Sequence, residues 1–102
     1  MKSITPTALQ QQIQSGESLV LIDVREPFEH HDFNIGGTLI PMQTVLERID
    51  EIPLTGNVVL YCAKGIRSGI VIQRLEEKFG YTNLTNLQGG MYAWRNTFGD
   101  IV

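Results

Sequence analysis

The chain has 102 residues, a formal net charge of −3 and a hydrophobic fraction of 42%. This length fits one compact domain, and the composition is that of a globular protein rather than a disordered one. General binding to nucleic acid or to an anionic membrane needs a basic face, so the acidic balance argues against both function classes.

The chain contains a single cysteine, Cys62, which cannot form an internal disulfide. It shows no signal-peptide pattern and no apolar run of membrane-spanning length. We therefore expect a protein of the reducing cytoplasm, where a lone thiol stays available for chemistry. No coiled-coil pattern or exposed apolar stripe indicates a dimer, so we expect a monomer.

The first half of the chain alternates helices with short strands. Residues 5–16 read as a short helix capped by Thr5, and residues 18–24 as a strand buried on both faces. A polar loop with a helical turn follows, then a brief strand within residues 36–42 and a helix over residues 43–52. The inner face of that helix carries four apolar side chains: Val45, Leu46, Ile49 and Ile52.

The second half repeats this alternation. We predict a strand over residues 57–61, a helix over residues 68–79 and a weaker strand over residues 82–87. The glycine pair 89–90 then turns the chain into a last helix. Short apolar strands between amphipathic helices are typical of βα units, so we predict an α/β fold with a parallel sheet in one domain over residues 1–102.

The cysteine lies in the segment VVLYCAKGIRSG, between the predicted third strand and the helix that follows it. In open α/β sheets, ligands bind at the carboxyl ends of the strands. Backbone N–H groups of a curled loop, the helix N-terminus and the charges of Lys64 and Arg67 all favour a thiolate, so we expect the pKa of Cys62 below the free value of about 8.5. Gly65 permits the positive φ of a tight curl.

A lone cysteine in a core is most often structural. Here the lysine, glycine, arginine and serine that follow at a strand-to-helix junction favour a reactive thiol instead. We therefore interpret Cys62 as the candidate nucleophile. The candidate binding loop comprises the next six residues: Ala63, Lys64, Gly65, Ile66, Arg67 and Ser68.

Three segments resemble the single-domain rhodaneses, a family of sulfurtransferases. CAKGIRS is similar to the family's active-site loop C-x-x-G-x-R-S, IDVREPFEHHDFNIGGTLIP resembles DVREPEEFxxGHIPGAxxIP, and NLQGGMYAW resembles L-x-GG-x-x-x-W. The segments follow the family's order and span nearly the whole chain. The resemblance implies a three-layer fold, with a mostly parallel sheet of about five short strands flanked by helices on both faces. One departure is that Asn34 and Gly36 stand where the family usually has His and Pro, so we expect a looser turn there.

The resemblance also implies a covalent relay. The Cys62 thiolate takes the outer sulfur of a small anionic donor such as thiosulfate, and a cyanide or thiol acceptor removes it from the persulfide. This scheme requires no metal or organic cofactor. Lys64 resembles a lysine of thiosulfate-using members and suits an anionic donor, whereas Arg67 either attracts the donor or braces the loop.

Three alternatives stay open at this point. A persulfide carrier would exchange sulfur with a protein donor or acceptor, and a regulatory domain would not use the thiol at all. A cysteine phosphatase would have five residues between cysteine and arginine, whereas four separate Cys62 from Arg67. Asp23 and Asp32 are candidates for a phosphatase general acid only by residue type.

Other polar and aromatic residues are read as structural. We expect Asp23 and Arg25 to form an ion pair that holds the loops around the site. Adjacent His30 and His31 lack a third ligand at suitable spacing, so we expect exposed loop residues rather than a metal site. Three residues of the last helix are expected in the core: Met91, Tyr92 and Trp94.

Overall fold

A computed structural model describes residues 1–100 of the chain as a five-stranded sheet with helices packed on it. The strands are β1 (Lys2–Ile4), β2 (Val20–Asp23), β3 (Thr38–Leu39), β4 (Val58–Tyr61) and β5 (Leu84–Leu87). The α-helices are α1 (Pro6–Gln14), α2 (Pro27–Asp32), α3 (Ile66–Phe79) and α4 (Gly90–Phe98). The strand order is β1-β5-β4-β2-β3, and every neighbouring pair is parallel. The predicted α/β fold is confirmed.

The central strand β4 is buried on both faces, as a continuous apolar run in a parallel sheet should be. Its side chains alternate between two cores because successive residues of a strand point to opposite faces. Val58 and Leu60 pack in the core beneath α3, and Val59 and Tyr61 pack in the core formed with α1 and α4. The molecule therefore has three layers, with β4 at the centre of the middle one.

Parallel pairing brings the carboxyl ends of the strands to one edge of the sheet. Cys62 follows β4 directly, Asp23 ends β2 and Leu87 ends β5 at this edge. Asp23, the last residue of β2, is the register partner of Tyr61, the last residue of β4. This edge therefore holds both the cysteine loop and the charged residues that follow the first predicted strand.

The predicted helix over residues 43–52 is wrong. The chain forms two 3-10 turns instead, Met42–Thr44 and Ile49–Glu51, with Arg48 between them at φ −114° and ψ 25°. The Arg48 guanidinium donates to the carbonyl oxygen of Leu39 and to Glu51, which holds this residue out of regular helical geometry. One consequence is that Leu46, expected on the inner face, is 55% exposed.

Several boundaries also differ from the prediction. Strand β1 was not predicted, because three residues carry no periodic pattern and their pairing with β5 decides their conformation. Helix α3 begins at Ile66 rather than Ser68. The first predicted strand is not buried on both faces throughout, since Val20 is 36% exposed and burial begins at Ile22.

The last helix buries Met91 and Trp94, as predicted, whereas Tyr92 is 61% exposed and does not belong to the core. Trp94 packs edge-on against Phe98 at a centroid distance of 4.8 Å. Within residues 1–100, the helices are all too short or too polar to cross a membrane.

Candidate active site

The sulfur of Cys62 lies in a ring of hydrogen-bond donors at the junction of β4 and α3. The backbone N–H groups of Gly65 and Ser68 lie 3.1 and 3.4 Å from Sγ, and the Ser68 hydroxyl oxygen lies 3.3 Å away. The residue itself is only 1% exposed. The chain from residue 62 to residue 65, here called the Cys62 loop, therefore curls around its own first side chain.

Burial opposes ionisation of this thiol, because a charged group loses its solvation. The Ser68 hydroxyl and the backbone N–H groups of Ser68, Lys64 and Gly65 outweigh that cost, so the pKa of Cys62 lies below its ordinary value. The donors are short-range dipoles rather than formal charges. The amides of the loop thus favour a negative sulfur, as the sequence predicted.

Three of the four carbonyl groups of the Cys62 loop are held outward, because neighbouring segments bind them. The backbone N–H of Met91 donates to the carbonyl oxygen of Cys62 at 2.9 Å, and that of Tyr92 to Ala63 at 2.8 Å. The carbonyl oxygen of Gly65 accepts from the side-chain amide of Asn86 at 3.0 Å. A peptide unit whose C=O is held outward presents the N–H of the next residue inward, so the bond from Tyr92 to the Ala63 carbonyl turns the N–H of Lys64, one of the groups that lower the pKa of Cys62, toward the sulfur. The other two bonds fix the first and last residues of the loop against α4 and β5.

Two glycines make this arrangement possible. Gly65 has φ +91° and precedes the first residue of α3, so the loop turns through a left-handed conformation there. Gly90 has φ +58°, and a Cβ built on it would collide with the carbonyl oxygen of Cys62. Gly90, the second residue of the glycine pair found in the sequence, therefore lets α4 begin in direct contact with the Cys62 loop.

Arg67 points to α2 and not into the ring of donors. Its guanidinium forms two parallel bonds of 2.8 Å with the carboxylate oxygens of Glu29. Hydrogen bonding from Arg67 lowers the pKa of Glu29 to about 2. Glu29 also accepts from the backbone N–H of Glu26 at the start of α2. Of the two roles left open for Arg67, this geometry is that of a brace.

Asp23 and Arg25 form the buried ion pair that the sequence predicted. The Arg25 guanidinium donates to both carboxylate oxygens of Asp23, at 2.9 and 2.8 Å, and to the carbonyl oxygen of Phe33. His30 Nδ1 lies 2.9 Å from the same carboxylate, so this histidine is part of the network and not an exposed loop residue. Among residues 1–100, no three His, Cys, Asp or Glu side chains cluster as metal ligands would.

The unusual turn at Asn34 is held by that residue's own side chain. Asn34 donates to the carbonyl oxygen of His30 at 2.9 Å and accepts from the backbone N–H of Gly36 at 2.8 Å. The N–H of Gly37 then donates to the Tyr61 hydroxyl. The asparagine therefore closes the turn between α2 and β3, where we expected a looser one.

A cavity of about 700 Å³ opens beside the Cys62 loop. Ala63 and Lys64 form its wall on the loop side, and Met91 and Tyr92 form the wall on the α4 side. The Lys64 ammonium lies 5.6 Å from the centre of the Tyr92 ring. Within the described part of the chain Lys64 forms no ion pair, so its charge is available to an anion at the mouth.

Sequence reasoning missed two residues of this site. Asn86 lies in β5 within the segment TNLTNL, where one asparagine among mostly polar residues gives only a weak signal. Its contacts with Ser68 and Gly65 arise from strand order, since β5 is the neighbour of β4. Glu29 lies in the segment IDVREPFEHHDFNIGGTLIP, and its pairing with Arg67 across 38 positions cannot be read from spacing.

Comparison with known proteins places this geometry in one family. The family model "Rhodanese-like domain" matches residues 5–97. A protein of Allochromatium vinosum named "Sulfurtransferase" is 35% identical over 95 residues, which cover 92% of this chain and 88% of that protein. A "Probable adenylyltransferase/sulfurtransferase MoeZ" of Mycobacterium tuberculosis is 38% identical over 95 residues, which cover 90% of this chain but only 24% of that protein.

Solved structures agree with this result. The crystal structure of a rhodanese-like domain protein from Staphylococcus aureus superposes with a TM-score of 0.84 at 32% sequence identity. The match covers 92% of this chain and 91% of that one. The three-layer fold implied by the sequence resemblance is therefore confirmed.

Replacing Gly90 with alanine should disturb the Cys62 loop specifically. A Cβ there lies 2.7 Å from the carbonyl oxygen of Ala63, whereas Gly80 has a similar φ of +70° and open space around it. We expect Gly80→Ala to lose about 1 kcal/mol of unfolding free energy for the left-handed backbone alone. Gly90→Ala should lose about 1–3 kcal/mol more through overpacking and should also change the alkylation rate of Cys62. Urea unfolding measures the losses of free energy, and iodoacetamide kinetics measure the alkylation rate. Equal losses in the two variants, with no change in the alkylation rate of Gly90→Ala, would contradict the contact between Gly90 and the Cys62 loop.

Replacing Glu29 with glutamine should remove a stabilisation that depends on pH. The carboxylate has a pKa of about 2 in the folded protein against 4.5 as its ordinary value. Its contribution is therefore complete above the ordinary value and is lost as pH falls toward 2. We expect Glu29→Gln to cost on the order of 1 kcal/mol at pH 7 and progressively less between pH 5 and pH 3. Denaturant unfolding at these pH values tests this, with Glu77→Gln on the exposed face of α3 as the control. A loss independent of pH would contradict the assignment.

Proposed function

The chain belongs to the rhodanese-like domain family, and on that premise we propose that it is a sulfurtransferase acting through a persulfide of Cys62. The donor is a small anion such as thiosulfate, and the acceptor is cyanide or a thiol. The observation that carries the proposal is the ring of donors from Gly65 and Ser68 on the Cys62 sulfur. We also place the protein in the cytoplasm, where reducing conditions keep a lone thiol free.

In the first half-reaction, the Cys62 thiolate attacks the outer sulfur of thiosulfate. A bond forms between Sγ and that sulfur while the sulfur–sulfur bond of thiosulfate breaks, and sulfite leaves with the bonding electron pair. The product is a persulfide whose negative charge lies on its terminal sulfur. No proton is transferred and the total charge is unchanged.

In the second half-reaction, cyanide or a thiolate attacks the terminal sulfur and Cys62 leaves as a thiolate. The negative charge returns to Sγ, where the amides of Gly65 and Ser68 lie 3.1 and 3.4 Å away. Fixed dipoles aimed at a developing charge lower the barrier because they need no reorganisation. The same ring of donors thus serves both the nucleophile and the leaving group.

Two cations at the loop have different roles in this scheme. Lys64 is exposed at the mouth of the cavity and attracts the doubly charged donor. Arg67 is paired with Glu29, and so braces the start of α3 against α2 instead of binding the donor. Thiosulfate enters the cavity and approaches the sulfur along the side lined by Ala63 and Lys64.

Phosphatase chemistry is less well supported. An arginine that binds phosphate needs its guanidinium free, whereas that of Arg67 is held bidentately by Glu29. Of the two candidate general acids, Asp23 is fully buried and its carboxylate is bound by Arg25. Four residues between the cysteine and the arginine also make a tighter loop than a phosphatase requires.

A persulfide carrier that exchanges sulfur with a protein partner is the second candidate. The cavity of about 700 Å³ is much larger than thiosulfate needs. Phe28 and Tyr92 line it and are 73% and 61% exposed, and Ile66 at the start of α3 is 69% exposed. Exposed apolar side chains around a reactive group suit a macromolecular donor or acceptor. The single cysteine also requires that the sulfur leave to another molecule.

Incubation with thiosulfate should add the mass of one sulfur atom to the unmodified chain and nothing to Cys62→Ala. Cyanide should then remove the added mass and release thiocyanate, because it attacks the terminal sulfur. Intact-mass spectrometry before and after cyanide measures both steps.

The other outcomes decide between the alternatives. Failure of thiosulfate and every other sulfane donor to load Cys62 would refute the enzyme. Loading by a protein donor alone would establish the carrier. Hydrolysis of an aryl phosphate without any sulfur transfer would establish a phosphatase.

Replacing Lys64 with alanine should raise the KM for thiosulfate about two- to fivefold and leave kcat nearly unchanged, since an exposed charge contributes about 0.5–1 kcal/mol. The increase should shrink at high ionic strength because salt screens the attraction. Lys78→Ala, which removes the same charge from the far end of α3, is the control. Steady-state kinetics at low and high salt measure this, and an unchanged KM removes Lys64 from donor binding.

A further inference from the structure

The hydroxyl of Ser68 has two hydrogen-bond acceptors and only one proton. Its oxygen lies 3.3 Å from Cys62 Sγ and 2.6 Å from the side-chain oxygen of Asn86. Ser68 is fully buried and Asn86 is 8% exposed, so no bulk water competes with these contacts. The hydroxyl can therefore donate to the sulfur or to Asn86, but not to both at once.

The orientation of the Asn86 amide is fixed by its other contact. Its nitrogen lies 3.0 Å from the carbonyl oxygen of Gly65, which can only accept a hydrogen bond. The NH₂ group must face that carbonyl, so the amide oxygen faces Ser68. Since this oxygen can only accept, Asn86 competes with the sulfur for the serine proton.

We propose that Asn86 is a positioning residue that holds the Ser68 hydroxyl proton away from Cys62 unless the sulfur carries a negative charge. What the proposal says of the Cys62 thiolate concerns the protein without transferred sulfur. What it says of the Cys62 persulfide rests on the proposed sulfur transfer. Asn86 touches neither donor nor acceptor and acts through Ser68.

Each state of Cys62 then has its own hydrogen-bond pattern. In the thiol, S–H donates to the Ser68 oxygen while the hydroxyl donates to Asn86. In the thiolate, the hydroxyl turns to the sulfur, and the buried oxygen of Asn86 loses its donor at a cost in free energy. In the persulfide the charge lies on the terminal sulfur, so Sγ becomes a weak acceptor and the hydroxyl returns to Asn86.

This exchange has a consequence for reactivity. A thiolate that is too strongly stabilised is a weaker nucleophile, because nucleophilicity falls with thiol pKa. Because the thiolate pattern leaves the Asn86 oxygen without a donor, Asn86 offsets part of the stabilisation that Ser68 gives the thiolate, which keeps the thiolate reactive and favours the loaded state over the empty one. The residue thereby balances attack on the donor against release of the sulfur.

Charged and titratable groups also surround the thiol from the neighbouring elements. The charge of Arg67, whose guanidinium is bound to Glu29, acts on the thiol from the first turn of α3, and six other groups line the adjoining cavity: Arg25, Glu29, Asp32, Lys64, Tyr92 and Arg95. Within residues 1–100 none of these side chains hydrogen-bonds to Ser68 or Asn86. Their effect on the thiolate is therefore the same with and without Asn86, and comparison of variants cancels it.

A double-mutant cycle tests the proposal. The thiolate midpoint is measured as the pH dependence of iodoacetamide alkylation in the unmodified protein, Ser68→Ala, Asn86→Ala and the double variant. Cys62 is the only cysteine, so the reaction reports one site. Any loosening of the loop by loss of the Gly65 contact occurs with and without Ser68, and it cancels in the cycle.

We expect Ser68→Ala to raise the midpoint. Asn86→Ala should lower the alkylation midpoint when Ser68 is present, by about 0.5 to 1 pH unit more than it does in the Ser68→Ala background. This difference is the free energy of one hydrogen bond expressed as a change in pKa. Absence of this coupling, or coupling of the opposite sign, overturns the proposal. The measurement uses no sulfur donor, so its result is independent of whether the protein transfers sulfur.

A second measurement needs no substitution of Asn86 and stands if that variant does not fold. The ¹³Cγ resonance of Asn86 in the unmodified protein should shift with the same midpoint as the alkylation rate, because its oxygen loses a donor when Cys62 ionises. The shift should be absent in Ser68→Ala. A resonance that stays constant through the titration, or that moves equally in both proteins, overturns the proposal.

Discussion

The structure of the site depends on the outward capture of the carbonyl groups of the Cys62 loop. Met91 and Tyr92 bind the carbonyls of Cys62 and Ala63 through their backbone, and Asn86 binds that of Gly65 through its side chain. A free loop of this length would orient its peptide units in many ways. Because α4 and β5 bind three of its carbonyls, the loop is held curled around the sulfur, where the N–H groups of Lys64, Gly65 and Ser68 outweigh the cost that burial adds to its ionisation.

The same constraint explains the division of roles among the charged residues. Once dipoles stabilise the thiolate, the ring of donors needs no cation, and Arg67 is used to tie α3 to Glu29 on α2. Arg25 is likewise held by Asp23 at the end of β2. Lys64 remains at the mouth of the cavity. In the proposed reaction, charge therefore acts at the entrance, where thiosulfate arrives, and dipoles act where sulfur is transferred.

Much of this organisation could be read from the sequence. Apolar runs and helical spacing located four of the five strands, and the position of Cys62 between a strand and a helix indicated the site. Residues 43–52 show the limit, since their apolar spacing fits a helix but Arg48 binds the carbonyl of Leu39 and interrupts it. Periodicity reports which residues prefer burial, and it carries no information about a side chain that binds a distant backbone group.

The sequence by itself indicated Cys62 as the candidate nucleophile and the residues that can curl around it, and it determined the family to which the chain belongs. These features are local, because they depend on residue type and on spacing over a few positions. The tertiary structure decided the direction of Arg67, the capture of the loop carbonyls and the place of Asn86 beside Ser68. Each joins residues at least 18 positions apart, and the order of strands in the sheet is what brings them together.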